Sequence, residues 1–168
     1  MSFLRTRRFI LCRVPMLIEQ IYNKHPRTIS ADKTIGEAIQ SMFEQCCNGY
    51  IVVDHRDHVM GVLSLQDIAG KLLPPEFRDN ANMTQAMYRK GFFVELCQEI
   101  RNKPITLVMR KDFVSVDLKA NILMVLSDFL QNDLYIIPVI EQDHLIGVLT
   151  RTEVRKAIAS GMLEKPQD

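Results

Sequence analysis

The chain repeats itself, and the repeat constrains what it can fold into more than any other feature. Residues 50 to 68, YIVVDHRDHVMGVLSLQDI, lie without a gap over residues 136 to 154, IIPVIEQDHLIGVLTRTEV, so that Gly61 falls on Gly147. Upstream, Ile35, Ala38, Ile39, Met42 and Phe43 lie over Ile122, Val125, Leu126, Phe129 and Leu130, with an indel placed near Cys47. Both sets follow i, i+3, i+4, i+7, i+8 spacing, the apolar stripe of an amphipathic helix. Thr34 and Glu37 form a capping box for the first copy, and Asn121 caps the second.

After each helix comes an apolar run, Tyr50 to Val53 or Ile136 to Ile140. A polar turn with Asp57-His58 or Asp143-His144 follows, then a second apolar run, Val59 to Leu63 or Leu145 to Leu149. This pattern predicts a hairpin. A second helix opens at Ser64 or Thr150 and ends at Leu73, before Pro74-Pro75, or near Gly161, read as a C-terminal cap. Extended pieces at Arg27 to Ser30 and Phe113 to Val116 precede the first helices, giving a β-α-β-β-α unit twice. Between the copies, Phe93, Leu96, Cys97 and Ile100 at helical spacing within residues 82 to 102 predict an inserted helix packed on one copy. Neither unit buries its helices alone, so the expected fold is α+β, with the two repeats packed about a pseudo-twofold axis and a cleft between them. The expected division is a basic arm over 1–15, repeat one over 16–73, a helical linker over 74–104, repeat two over 105–161 and a tail over 162–168.

Composition narrows the function classes. The 168 residues carry 21 basic and 20 acidic side chains, so no excess of positive charge advertises nucleic acid or a membrane surface as partner. Arg5, Arg7, Arg8 and Arg13 surround an apolar run too short for a signal peptide, and no segment reaches spanning length. The fold reading needs nothing before Met16, which is an alternative start. Cys12, Cys46, Cys47 and Cys97 form no CxxC pair or secreted spacing, which fits a reducing cytoplasm, with the Cys46-Cys47 pair expected in a core. His55-x-x-His58 sits in a hairpin turn whose residues alternate in direction, and His25 and His144 have no Cys or acidic partner at ligand spacing, so no metal site is expected, and no catalytic motif occurs.

A strand that runs into a helix N-terminus offers free backbone N–H groups and a positive dipole end to an anion. Gly61 and Gly147 let a ligand or a backbone approach the strand closely. Ser64-x-x-Asp67 and Thr150-x-x-Glu153 are also capping boxes, and capping alone selects these residues at this spacing.

Gly61-Val62-Leu63-Ser64-Leu65-Gln66-Asp67 resembles the Gly-h-x-Ser/Thr-x-x-Asp signature of the cystathionine β-synthase (CBS) domain family. Gly147-Val148-Leu149-Thr150-Arg151-Thr152-Glu153 matches it except at the last position, and Val108-Met109 and Ile137-Pro138-Val139 extend the similarity. The resemblance implies a stand-alone regulatory CBS pair, not an enzyme. Its ligand would be AMP, ADP, ATP or S-adenosylmethionine, held in the inter-repeat cleft, with no cofactor required. It implies a homodimer formed through helices, with Ile68, Leu72 and Ile158 as contact candidates, and a regulated partner protein that the residues do not identify. The implied site is Ser64 and Asp67 on ribose and phosphate, with Val114, Ser115, Ile137 and Pro138 around them. A weaker second site would use Thr28, Ile29, Thr150 and Glu153. The arginine or histidine that many members place two residues before the strand proline is Ile136 here, matched to Tyr50 in the first copy. Arg151, Arg155 or Lys111 are the candidate substitutes. The rival readings are an interaction module with a vestigial cleft and an unrecognised small enzyme.

Overall fold

A computed structural model of the chain describes residues 16–73, 82, 89–132 and 134–163. The first repeat comprises β1 (Thr28–Ser30), α1 (Ile35–Glu44), β2 (Gly49–Val53), β3 (Val59–Ser64) and α2 (Leu65–Leu72). Helix α3 (Phe92–Arg101) follows, then α4 (Ile122–Gln131), β4 (Ile136–Glu141), β5 (His144–Thr150) and α5 (Arg151–Leu163) of the second repeat. The basic arm, most of residues 74–88 and the end of the tail lie outside the described residues.

Strand β2 is buried along its whole length because both its faces are used. Tyr50 and Val52 join Ile35, Ala38, Met42, Leu63 and Ile68 in the core between sheet and helices of the first repeat. Ile51 and Val53 point the other way and meet Val62, Ile136 and Val148, the seam that joins the two sheets. The second repeat has a matching core of Val125, Ile137, Val139, Leu149 and Val154. Among the described residues the predicted β-α-β-β-α order is present, complete in the first repeat and lacking the first strand in the second.

Leading segments cross over between the repeats. Ile18, ahead of β1 in sequence, is buried in the second core, and Asn23 exchanges backbone hydrogen bonds with Val148 at 3.0 and 2.9 Å. Its counterpart, Ile105 to Arg110, returns to the first core, where Arg110 exchanges bonds with Val62 at 3.0 and 2.8 Å. The crossings explain both signature glycines. A Cβ on Gly61 would lie 2.5 Å from the Arg110 carbonyl oxygen, and one on Gly147 would lie 2.6 Å from that of Asn23. Backbone approaches both strands, and at Gly147 the Tyr22 ring packs beside it.

Several sequence expectations need correction. Gly49 pairs with Ser64 and Ile136 with Thr150, so Ile137, not Ile136, is the structural counterpart of Tyr50. The indel therefore lies in the hairpin turn, not near Cys47: the second hairpin turns on Gln142 and Asp143, both at positive φ, while the first needs residues 54–58. His144 begins β5. Phe113 to Val116 contributes only a parallel bridge, Val116 to Val139. Proline is the cause. In the first repeat Ile51 donates its N–H to Arg27 at 3.0 Å, and its counterpart Pro138 has no N–H to give.

Helix α5 runs through Gly161 to Leu163, so Gly161 is no cap. Helix α3 starts after Gly91 and packs on α1 and α2, with Ile100 buried and Phe93 exposed. Cys46 is exposed, in the left-handed region that closes α1, and Cys47 is half-buried.

Candidate functional site

The two signature helices end in different surroundings. At the head of α2, Asp67 Oδ2 accepts from the Ser64 backbone N–H at 2.8 Å and from its hydroxyl at 2.5 Å, closing the predicted capping box. Oδ1 accepts from Arg110 Nε at 2.7 Å, and the same guanidinium reaches the Asn132 carbonyl oxygen at 3.5 Å. The Asp67 side chain is left 9% exposed. The space beside it, lined by Ser64, Asp67, Arg110 and Tyr135, amounts to about 10 Å³, room for little more than a water molecule.

At the head of α5 a cavity of about 400 Å³ opens between the repeats. Glu153 is 4% exposed and lines it, with Oε2 taking the Thr150 N–H at 3.0 Å and the Thr150 hydroxyl. Its Oε1 has the Lys156 ammonium at 4.0 Å. Arg27, His25, Arg151 and Lys156 share the wall, against Glu153 as its carboxylate. The Arg151 guanidinium lies 4.0 Å from the Tyr135 ring centroid, a cation–π contact. Arg27 is held by Gln45 Oε1 at 2.8 Å. Ile136 and Val148 supply apolar wall, and Gly49 lets Ile136 close up: a Cβ there would lie 2.6 Å from the Ile136 side chain.

The flanking residues named from the sequence fall elsewhere. Thr28 and Ile29 pair with Ile51 and Val52 in the first sheet, and Arg27 beside them is the one that reaches the cavity. Val114 packs on the second core, Ser115 is exposed, and Ile137 and Pro138 are buried. Of the substitute cations, Arg151 lines the cavity; Arg155 and Lys111 are exposed and do not. Sequence reasoning missed Arg27, Lys156, Asn23 and Arg110. Lys156 was findable, one helical turn after Glu153 on α5; the crossing residues carry no periodic signal. No cluster of three or more His, Cys, Asp or Glu side chains that could hold a metal ion occurs among the described residues, nor a helix long and apolar enough to cross a membrane.

The family model described as CBS domain matches the chain twice, over residues 18–74 and 103–160. The chain belongs to the CBS-domain family. The CBS pair is 27% identical over 138 residues to the glycine betaine/carnitine/choline transport ATP-binding protein OpuCA of Bacillus subtilis (strain 168), covering 82% of this chain and 29% of that protein. The chain spans less than a third of the length of the transport proteins it matches. Its fold is also that of CBSX2, solved in complex with AMP (TM-score 0.65, 19% identity, 88% of this chain and 98% of the other). The CBS pair of MJ0100, solved with 5′-methylthioadenosine and S-adenosyl-L-methionine, is similar at TM-score 0.65 and 16% identity, with 88% and 98% covered.

Proposed function

We propose that this CBS pair is a sensor that binds an adenine nucleotide in the cavity at the head of α5 and passes the binding event to a partner protein. The observation that carries this reading is the cavity itself. Its volume of about 400 Å³ lies in the range of small-molecule sites, and it combines a buried carboxylate, a helix N-terminus and three permanent cations. In this reading Glu153 Oε1 accepts a ribose hydroxyl, Ile136 and Val148 flank the base, and Arg27, Arg151 and Lys156 meet the phosphate. Related CBS pairs solved with AMP or with S-adenosyl-L-methionine support the ligand class. The cationic wall favours AMP, ADP or ATP over S-adenosylmethionine, which has no phosphate and is a net cation. This reading prefers the Glu153 side, where the signature suggests the Asp67 side.

Binding of AMP, ADP or ATP at one hundred times Kd stabilises the fold by about 2.7 kcal/mol, or roughly 5 to 10 °C in Tm. Glu153→Gln weakens the interaction about ten- to a hundredfold by calorimetry. Melting curves that stay flat with all three nucleotides and with S-adenosylmethionine overturn the reading and favour an interaction module without a ligand.

A further inference from the structure

The repeats are related by a pseudo-twofold, and it sets Arg110 over Asn23. Each residue leads a crossing segment onto the signature strand of the other repeat, Arg110 onto Val62 and Asn23 onto Val148, through the same reciprocal pair of backbone bonds. From that shared position the long Arg110 side chain enters the Asp67 cleft and donates to the carboxylate at 2.7 Å. The short Asn23 side chain turns back instead, its Oδ1 accepting from the His25 N–H at 2.9 Å, and leaves the Glu153 cleft open. The cleft beside arginine has about 10 Å³ of space and the cleft beside asparagine about 400 Å³.

We propose that Arg110 is a built-in occupant of a second ligand site, and that the residue at this crossing position decides which of the two clefts can bind. The donor that Arg110 gives to Asp67 replaces the hydroxyl donors of a ribose. The pseudo-twofold also indicates what the vacated site would accept. Arg27, Arg151 and Lys156 of the open cavity correspond to Val114, Leu65 and Gly70, so the cations that would neutralise a phosphate are missing. The Asp67 site therefore suits an uncharged ribonucleoside such as adenosine. This rests on the adenosine-type reading of the Glu153 cavity.

The test exchanges the two residues: Arg110→Asn, Asn23→Arg and the double exchange, titrated with AMP and with adenosine by calorimetry. Arg110→Asn is expected to gain an adenosine site that wild type lacks and that Asp67→Asn removes, while AMP affinity at the Glu153 cavity changes less than about threefold. Asn23→Arg is expected to lower AMP affinity at least tenfold, by setting a guanidinium on Glu153. Wild type that binds AMP alongside an Arg110→Asn chain that gains no adenosine site overturns the proposal. If no chain binds AMP or adenosine, the nucleotide reading fails, and the ligand-free crystal structure of Arg110→Asn decides separately whether Arg110 fills the Asp67 cleft. A cleft beside Asp67 that opens by hundreds of Å³ upholds it, and a cleft that stays filled overturns it.

Discussion

A single added methyl group tests the crossings of the chain. At Gly61 and Gly147 that methyl would meet a backbone carbonyl oxygen at 2.5 and 2.6 Å, and a carbonyl already bonded within a bridge cannot move aside as a side-chain tip can. Gly61→Ala and Gly147→Ala should each cost about 1 to 3 kcal/mol, the usual range for overpacking, or roughly 2 to 10 °C in Tm. Gly161→Ala is the control. It has nothing within 4 Å and lies in a helix, so it should stabilise by about 0.4 to 1 kcal/mol through the entropy of the unfolded chain. Calorimetric melts in which all three variants move together would show that close backbone approach is not what selects these glycines.

At the scale of elements, acid stability should reside in two local carboxylates. Glu37 is held down to about 2, first by the Thr34 backbone N–H at 2.8 Å and then by Lys33 and the Thr34 hydroxyl. Asp54 is likewise lowered to about 2, first by the His58 backbone N–H at 2.9 Å in the first hairpin turn. Since both folded-state values lie below the unfolded ones near 4, the stability they confer is complete above about pH 5. It is lost as pH falls toward 2. Glu37→Gln and Asp54→Asn should therefore melt below wild type at pH 6 and approach it at pH 2.5. A gap of equal size at both pH values would contradict the assignment. These were among the legible features, because capping and turn chemistry act over three or four residues. So were the helices and hairpins themselves. The alignment of β2 on its repeat counterpart β4 was not: a strand buried on both faces shows no alternation, so a one-residue slide leaves its hydrophobic pattern intact. The crossings escaped for a different reason. The bonds from Asn23 to Val148 and from Arg110 to Val62 join distant parts of the chain through backbone groups; Gly61 and Gly147 mark the strands that are approached, but no side-chain type marks the segments that approach them. Ser64-x-x-Asp67 could thus be read as a signature, whereas the guanidinium that fills its cleft could not.

For the whole molecule, the helical faces pose the remaining question of packing. Ile68 and Leu72, candidates for contact between copies, belong to the first core, while Ile158 stays 42% exposed. More exposed apolar groups stand out at positions the pseudo-twofold relates: Phe43 at the end of α1 and Leu130 at the end of α4, 81% and 85% exposed. Leu123, Met124 and Met162 extend the exposed face of the second repeat, where α4 and α5 have no counterpart of α3 among the described residues. Apolar side chains exposed at twofold-related helix ends suit burial against another chain, and a twofold pair of copies is the simplest arrangement that covers them. The expected state is a homodimer joined through these helices, with mass twice that of the chain by light scattering at tens of micromolar. Leu130→Asp should shift it to monomer. Because Leu130 is already exposed, the substitution leaves the intramolecular core untouched, and the far-ultraviolet circular dichroism of the variant should match wild type. A wild-type chain that scatters as a monomer with and without AMP contradicts the dimer, as does a Leu130→Asp, Phe43→Asp double variant that keeps the dimer mass.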